Sequence, residues 1–152
     1  ANYLAFAGIP HRAARVMEKA MKEGQIESSA ANYKTLANYW HQAKELDPAI
    51  DTLAKSYQLA PNAELQLKMA RMMIQSKRYQ DLVALAAKPA ANASSEQRAD
   101  LKFLTGVAYF EQQKPKEALN AFTQAAQHGN VSGRASPWIS FLKEQQGGAV
   151  TQ

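Results

Sequence analysis

Four segments of this chain keep one helical spacing, three of them with a small residue before a large one. Ala13-x3-Met17-x2-Ala20, Ala49-x3-Leu53-x2-Ser56, Leu82-x3-Ala86 and Ala118-x3-Phe122-x2-Ala125 begin at intervals of 36, 33 and 36 residues. Steps of three and four put each set on one face of a helix. The small residue lets a second helix backbone approach, and the large one fills the space that is left. A period of this length marks one supersecondary unit repeated along the chain, and a single unit cannot bury its apolar face alone. The repeat therefore demands helical units stacked side by side.

The intervening sequence supplies the partner helices. From Tyr33 to Tyr57 the large apolar residues Tyr33, Leu36, Tyr39, Trp40, Leu46, Ile50, Leu53 and Tyr57 keep helical spacing, with a break at Lys44 to Asp47. Asp47-Pro48 reads as a helix start, with Asp accepting from free backbone N–H groups and Pro at the first helical position. Pro61-Asn62, the capping-box pair Ser94 and Gln97, Lys114-Pro115, Gly129-Asn130 and Ser136-Pro137 read as further boundaries. The spacing predicts helices over 1–7, 10–23, 30–43, 47–59, 63–76, 79–87, 95–112, 115–128 and 135–146. KPAANASS, from Lys88, is the longest expected loop, and 147–152 is expected to be a disordered tail. Connections this short place successive helices antiparallel. No strand-like alternation competes, and scarce Gly (7) and Pro (6) in a chain 46% hydrophobic suit helices.

At this level of detail the chain resembles a tetratricopeptide repeat (TPR) protein. Tyr33, Leu36-Ala37, Trp40, Leu46, Ala49, Leu53, Ser56 and Pro61 are similar to one nearly complete repeat. Gly106, Tyr109, Ala118, Phe122 and Ala125 mark another, with Thr105 where Leu is usual. Met69-Ala70, Met73 and Tyr79 mark a divergent one, with Leu82 in place of a small residue. Gly8, Ala13, Met17 and Ala20 fit the second half of a repeat. The resemblance implies an all-α right-handed superhelix of antiparallel helix pairs. It forms one domain over 1–146: a partial repeat at 1–28, repeats at 29–61, 62–93 and 94–130, and a C-terminal capping helix at 134–146 carrying Trp138, Phe141 and Leu142.

A narrower resemblance is to the TPR proteins that accompany bacterial TonB–ExbB–ExbD systems. It is carried by Ala13-x-x-Val16-Met17-Glu18-Lys19-Ala20-Met21, Asn32-Tyr33-x-x-Leu36-Ala37, Leu104 to Phe110 (LTGVAYF) and Arg134-Ala135-x-x-Trp138-Ile139-x-Phe141. It implies a periplasmic protein that assists TonB-dependent transport, with components of that system as partners; a cytoplasmic location is the alternative. The opening ANYLAFAGIP lacks the features of a signal peptide. Its immediate apolar helical pattern (Tyr3, Leu4, Phe6) reads as a piece cut from a longer protein.

Chemistry-bearing residues are sparse. The chain has no cysteine and three histidines, so no cysteine site and no metal or other cofactor is expected. Trp40, His41 and Asp47 lie close in sequence, but Trp40 and His41 point about 100° apart on one helix. Asp47 falls beyond the break. No metalloprotease, phosphate-loop or nucleophile-elbow motif is present, and neither an enzyme nor a small-molecule substrate is expected. Asn92-Ala93-Ser94 and Asn130-Val131-Ser132 match glycosylation sequons, which the bacterial resemblance makes chance matches. No apolar run is long enough to span a bilayer.

Function is expected on the surface. In a TPR array the first helix of each pair lines a concave groove. The register assigns to it Lys34, Asn38, His41 and Gln42, then Lys68, Arg71 and Gln75, then Val107, Phe110 and Glu111. Lys68, Arg71, Lys77 and Arg78 form the densest basic run. An extended peptide bearing carboxylates suits such a surface, which makes a non-catalytic protein-binding scaffold the leading expectation. Lys34 and Asn38 resemble the start of the carboxylate clamp of chaperone-binding TPR domains. Its other positions here carry Lys68, Asp100 and Leu104, of which the last two do not fit. The net charge of +5 raises nucleic acid or an anionic surface as an alternative, although Lys/Arg and Asp/Glu are interspersed (seven against six over 1–60, seven against five over 61–112, four against two beyond). A helical accessory domain of a larger enzyme is a further alternative.

Overall fold

A computed structural model describes the backbone of residues 2–150 and the side chains of residues 8–148. Among them are eight helices and no strand: α1 Asn2–Lys22, α2 Ala30–Gln42, α3 Leu46–Leu59, α4 Ala63–Gln75, α5 Tyr79–Ala86, α6 Ser95–Glu111, α7 Pro115–Ala125 and α8 Gly129–Val150. The chain falls into two compact units, Ala1–Pro61 and Asn62–Gln152, and the boundary in sequence is where one repeat ends and the next begins.

In the first unit α1 packs on α2, and α2 pairs with α3. Ala14, Met21, Leu36, Ala37, Trp40, Ala49, Ile50 and Leu53 are buried. The Ser56 hydroxyl donates to the Ala30 carbonyl (2.8 Å), tying α3 to the start of α2. Ser29 caps α2, its hydroxyl accepting from the Asn32 N–H (3.1 Å).

The second unit holds the pairs α4–α5 and α6–α7, with α8 packed on α6 and α7. Phe122 is fully buried, its ring stacked on Trp138 at 5.0 Å and edge-on to Phe103 at 5.5 Å. Gly106 makes this possible: a Cβ there would lie 2.8 Å from the Phe122 ring. Asn62 caps α4 through the Glu64 and Leu65 N–H groups (2.9 and 3.3 Å). The Ser94–Gln97 capping box forms in both directions, and Pro115 stands at the first position of α7.

The 88–94 segment is fixed by two amides. Gln66 has no exposed surface. Its Nε2 donates to the carbonyls of Leu85 (2.9 Å) and Lys88 (3.0 Å), while its Oε1 accepts from the Ala90 N–H (2.9 Å). Asn92 Oδ1 accepts from the Ala63 N–H (2.9 Å), so this sequon side chain is engaged in structure.

The turns inside the three pairs are alike. Lys44, Lys77 and Gln113 adopt positive φ (65°, 61° and 60°). In each, the following N–H bonds back to the third-last helical carbonyl: Glu45 to Trp40, Arg78 to Met73, Lys114 to Tyr109. This is the Schellman closure, formed here three times without glycine. Gly24 (φ 75°) closes α1 in the same way.

Four boundaries differ from the sequence reading. α1 is one helix where 1–7 and 10–23 were expected, with Pro10 inside it; the side chains of Tyr3, Leu4 and Phe6 lie outside the described residues. α3 starts at Leu46, after Glu45, so Asp47 sits in the first turn, near the positive end of the helix dipole, rather than at the cap. Gly129 opens α8 rather than closing α7, because the His128 carbonyl accepts from Val131 and Ser132 (3.0 Å each) and Val131 is fully buried. Pro137 therefore lies inside α8. The bond it forfeits is to the carbonyl of Gly133, an exposed residue where water can take its place. The same helix runs on through Val150, past the expected end at 146, and Thr151 and Gln152 lie outside the described residues.

Candidate interaction faces

In the first unit, Lys34, Asn38, His41 and Gln42 are all exposed and share one side of α2, while Leu36, Ala37 and Trp40 occupy its buried side. The Trp–His–Asp grouping is thereby dispersed. Trp40 is in the core against the edge of the His11 ring (5.5 Å), and its Nε1 is buried without a hydrogen-bond partner. His41 and Asp47 face solvent from different helices.

In the second unit, Arg71 and Gln75 are exposed on α4 and Lys68 is half-buried beside them. Spacings of three and four keep all three on one side. Glu111 is exposed on α6, whereas Val107 and Phe110 are half-buried. Both pack against the core cluster of Ala118 and Phe122 from α7 with Ala135 and Leu142 from α8, and Phe110 lies edge-on to Trp138 (5.1 Å) and to Phe141 (6.1 Å). Of the basic run, Lys77 is exposed in its turn, and the Arg78 Nε donates to Asp81 Oδ2 (2.9 Å).

Three features were missed by sequence reasoning. Asp100 forms an ion pair with Arg134 of α8, whose guanidinium lies 5.1 Å over the Phe103 ring; this accounts for the failure of the clamp pattern at Asp100. The buried Gln66 looks like any surface glutamine in sequence. Phe141, expected in the capping core with Trp138 and Leu142, is 45% exposed while Leu142 is fully buried. The helical period could have located Phe141, because it lies one residue short of the buried Leu142 and so about 100° around the helix.

Each unit also has a hollow over the back of a first helix. One, of about 350 Å³, is lined by Ala87, Lys102, Thr105, Ala121 and Gln124 among others. The other, of about 300 Å³, is lined by Glu18, Tyr33, Leu36, Thr52 and Lys55. These five positions of one hollow lie 69 residues from those of the other, so the hollow recurs with the repeat. The described residues contain no group of three or more His, Cys, Asp or Glu able to hold a metal ion. No described helix is long and apolar enough to cross a membrane.

These pairs, turns and small-against-large contacts define a class: an all-α, TPR-like solenoid fold. Solved structures of MamA share it. A crystal structure of MamA matches with a TM-score of 0.67 at 19% identity, over 92% of this chain and 80% of that one. MamA of AMB-1 matches with a TM-score of 0.67 at 22% identity, over 93% and 75%. MamA from Desulfovibrio magneticus RS-1 matches with a TM-score of 0.60 at 13% identity, over 90% and 76%. At these identities the likeness concerns the fold. No protein-family model matches the chain, and no curated protein matches it in sequence.

Proposed function

We propose that the protein is a non-catalytic scaffold that binds a protein or peptide partner through the outward faces of its first helices. The observation that carries this reading is on α2. Lys34, Asn38, His41 and Gln42 form a continuous exposed polar face on a helix whose opposite side holds the buried Leu36, Ala37 and Trp40. A rigid helix presenting side chains at fixed spacing suits recognition of an extended segment. Lys34 on α2 and Arg71 on α4 favour carboxylates, and charge-assisted hydrogen bonds would supply the attraction.

The narrower proposal is a role beside TonB-dependent transport, in the periplasm, with a component of that system as the partner. Its support is the sequence similarity over Ala13 to Met21, Asn32 to Ala37, Leu104 to Phe110 and Arg134 to Phe141.

Charge reversal tests the general reading. Lys34→Glu and Lys68→Glu/Arg71→Glu are compared with Lys102→Glu, which lies on the back of α6, against a panel of acidic peptides. The first two are expected to weaken binding about tenfold, with circular dichroism unchanged, and the third to leave it intact. Equal affinities for all proteins would refute binding through the first-helix faces. Titration with the purified periplasmic domains of TonB and ExbD tests the narrower proposal, and absence of binding to both removes it.

A further inference from the structure

The second unit places three first-type helices in succession, with α4 packed on α6 and α6 on α8. Their buried residues align at fixed offsets. Leu101 and Ala108 of α6 correspond to Ala135 and Leu142 of α8, 34 residues on, and all four are buried to within 1% of full. The repeat offset from α4 to α6 is 36, as Ala70, fully buried, corresponds to Gly106. With these offsets, α8 occupies the place of a further first helix, and equivalent positions fall into rows: Lys68, Leu104 and Trp138; Arg71, Val107 and Phe141; Gln75, Glu111 and Gln145.

The middle row runs from an exposed guanidinium, through a half-buried valine, to a phenylalanine that is 45% exposed. Phe141 stands against the edge of Phe110 at 6.1 Å, and Phe110 in turn rests on Trp138 at 5.1 Å. An aromatic ring half in solvent and backed by two more is an anchor for an apolar side chain. Helices in contact are about 8–10 Å apart, so the row spans about 20 Å from α4 to α8. Extended chain covers that distance in about six residues.

Resting on the scaffold reading, we infer that α8 is a binding helix as well as a cap, and that this face takes an extended peptide segment carrying a carboxylate at one end and a large apolar side chain about six residues away. The carboxylate lies at Arg71 and the apolar side chain against Phe141 and Phe110. Charge complementarity fixes the first end and the exposed aromatic fixes the second. Neither end alone distinguishes this segment from any acidic or any greasy peptide; the separation does.

The test uses the full chain and labelled ten-residue peptides with two Asp at one end and Phe six residues away, made in both chain directions, beside versions with Ser for Phe. Fluorescence anisotropy gives the affinities. In at least one direction the Phe peptide is expected to bind about tenfold more tightly than its Ser counterpart. Phe141→Ser should abolish that advantage while leaving the affinity for the Ser peptide unchanged. Arg71→Glu, on a different helix, should weaken both peptides and keep the ratio. Equal affinity of Phe and Ser peptides for the wild-type chain, or an advantage that survives Phe141→Ser, overturns the inference and leaves the scaffold reading standing. Absence of binding by every peptide overturns both.

Discussion

The pairs α2–α3 and α6–α7 solve one packing problem with opposite distributions of bulk. In α2–α3 the first helix carries Ala37 and the buried Trp40, and the second carries Leu53. The equivalent residues 69 positions on are Gly106, the half-buried Tyr109 and Phe122. Where the second helix bears a ring, the first has lost even a methyl group: the Gly106 position leaves no room for a Cβ beside Phe122. Where the second helix bears a leucine, the first keeps its alanine and brings an indole into the core. What the repeat holds constant is the volume at the contact, not the identity of the residue that supplies it.

The largest expected effects come from removing the dominant side chain of each pair. Phe122→Ala is expected to cost about 3–5 kcal/mol, and Trp40→Ala about the same. Tyr109→Ala, at the position equivalent to Trp40 but half-buried, should cost clearly less in urea denaturation. Equal losses for Trp40→Ala and Tyr109→Ala would break the comparison. Gly106→Ala comes next. Helix propensity favours alanine by about 1 kcal/mol, yet the crowding against Phe122 should leave a net loss of about 1–3 kcal/mol. Gly106→Ala/Phe122→Leu gives this pair the residues of the other at these two positions and should recover part of the loss, a positive coupling readable from a double-mutant cycle. Purely additive effects would mean that the two positions do not share a volume.

A smaller effect is expected at the turns. Lys77 holds a left-handed conformation that costs an L-residue about 1–2 kcal/mol, while glycine has more chain entropy to lose. Lys77→Gly should therefore raise stability by about 0.5 kcal/mol, and Lys44→Gly should match it because the closures are alike. The smallest effect concerns alkaline pH. Burial holds the Tyr57 phenol above the ordinary tyrosine value. The neutral form is thus favoured in the folded chain, and its contribution is complete at neutral pH and lost as pH rises through the tyrosine range. Tyr57→Phe should show a shallower decline in thermal stability above about pH 10.

The repeat was legible because its signal is local. Ala49 with Leu53 and Ala118 with Phe122 lie within one helical turn, and the period brings them back. The polar face of α2 was legible for the same reason. What escaped depends on distant partners or on rules that the fold overrides. Gln66 finds its hydrogen-bond partners 19 to 24 residues away. Positive φ at Lys44, Lys77 and Gln113 has no glycine to advertise it. Pro137 looks like a helix start, but burial of Val131 and Leu142 on either side carries the helix through it. The register assigns Val107 and Phe110 to the groove side of α6, yet both are half-buried against a core cluster that includes Ala135 and Leu142 of α8, which no pattern within α6 can reveal.

The central claim, that partners are bound by the outward faces of the first helices, is tested most directly by mapping the bound surface. A ¹⁵N-labelled chain titrated with the acidic–aromatic peptide should show its amide shift changes concentrated on α4, α6 and α8 around Arg71, Val107 and Phe141, with α5 and α7 silent. Changes concentrated on α5 and α7, or spread evenly over the chain, would contradict it.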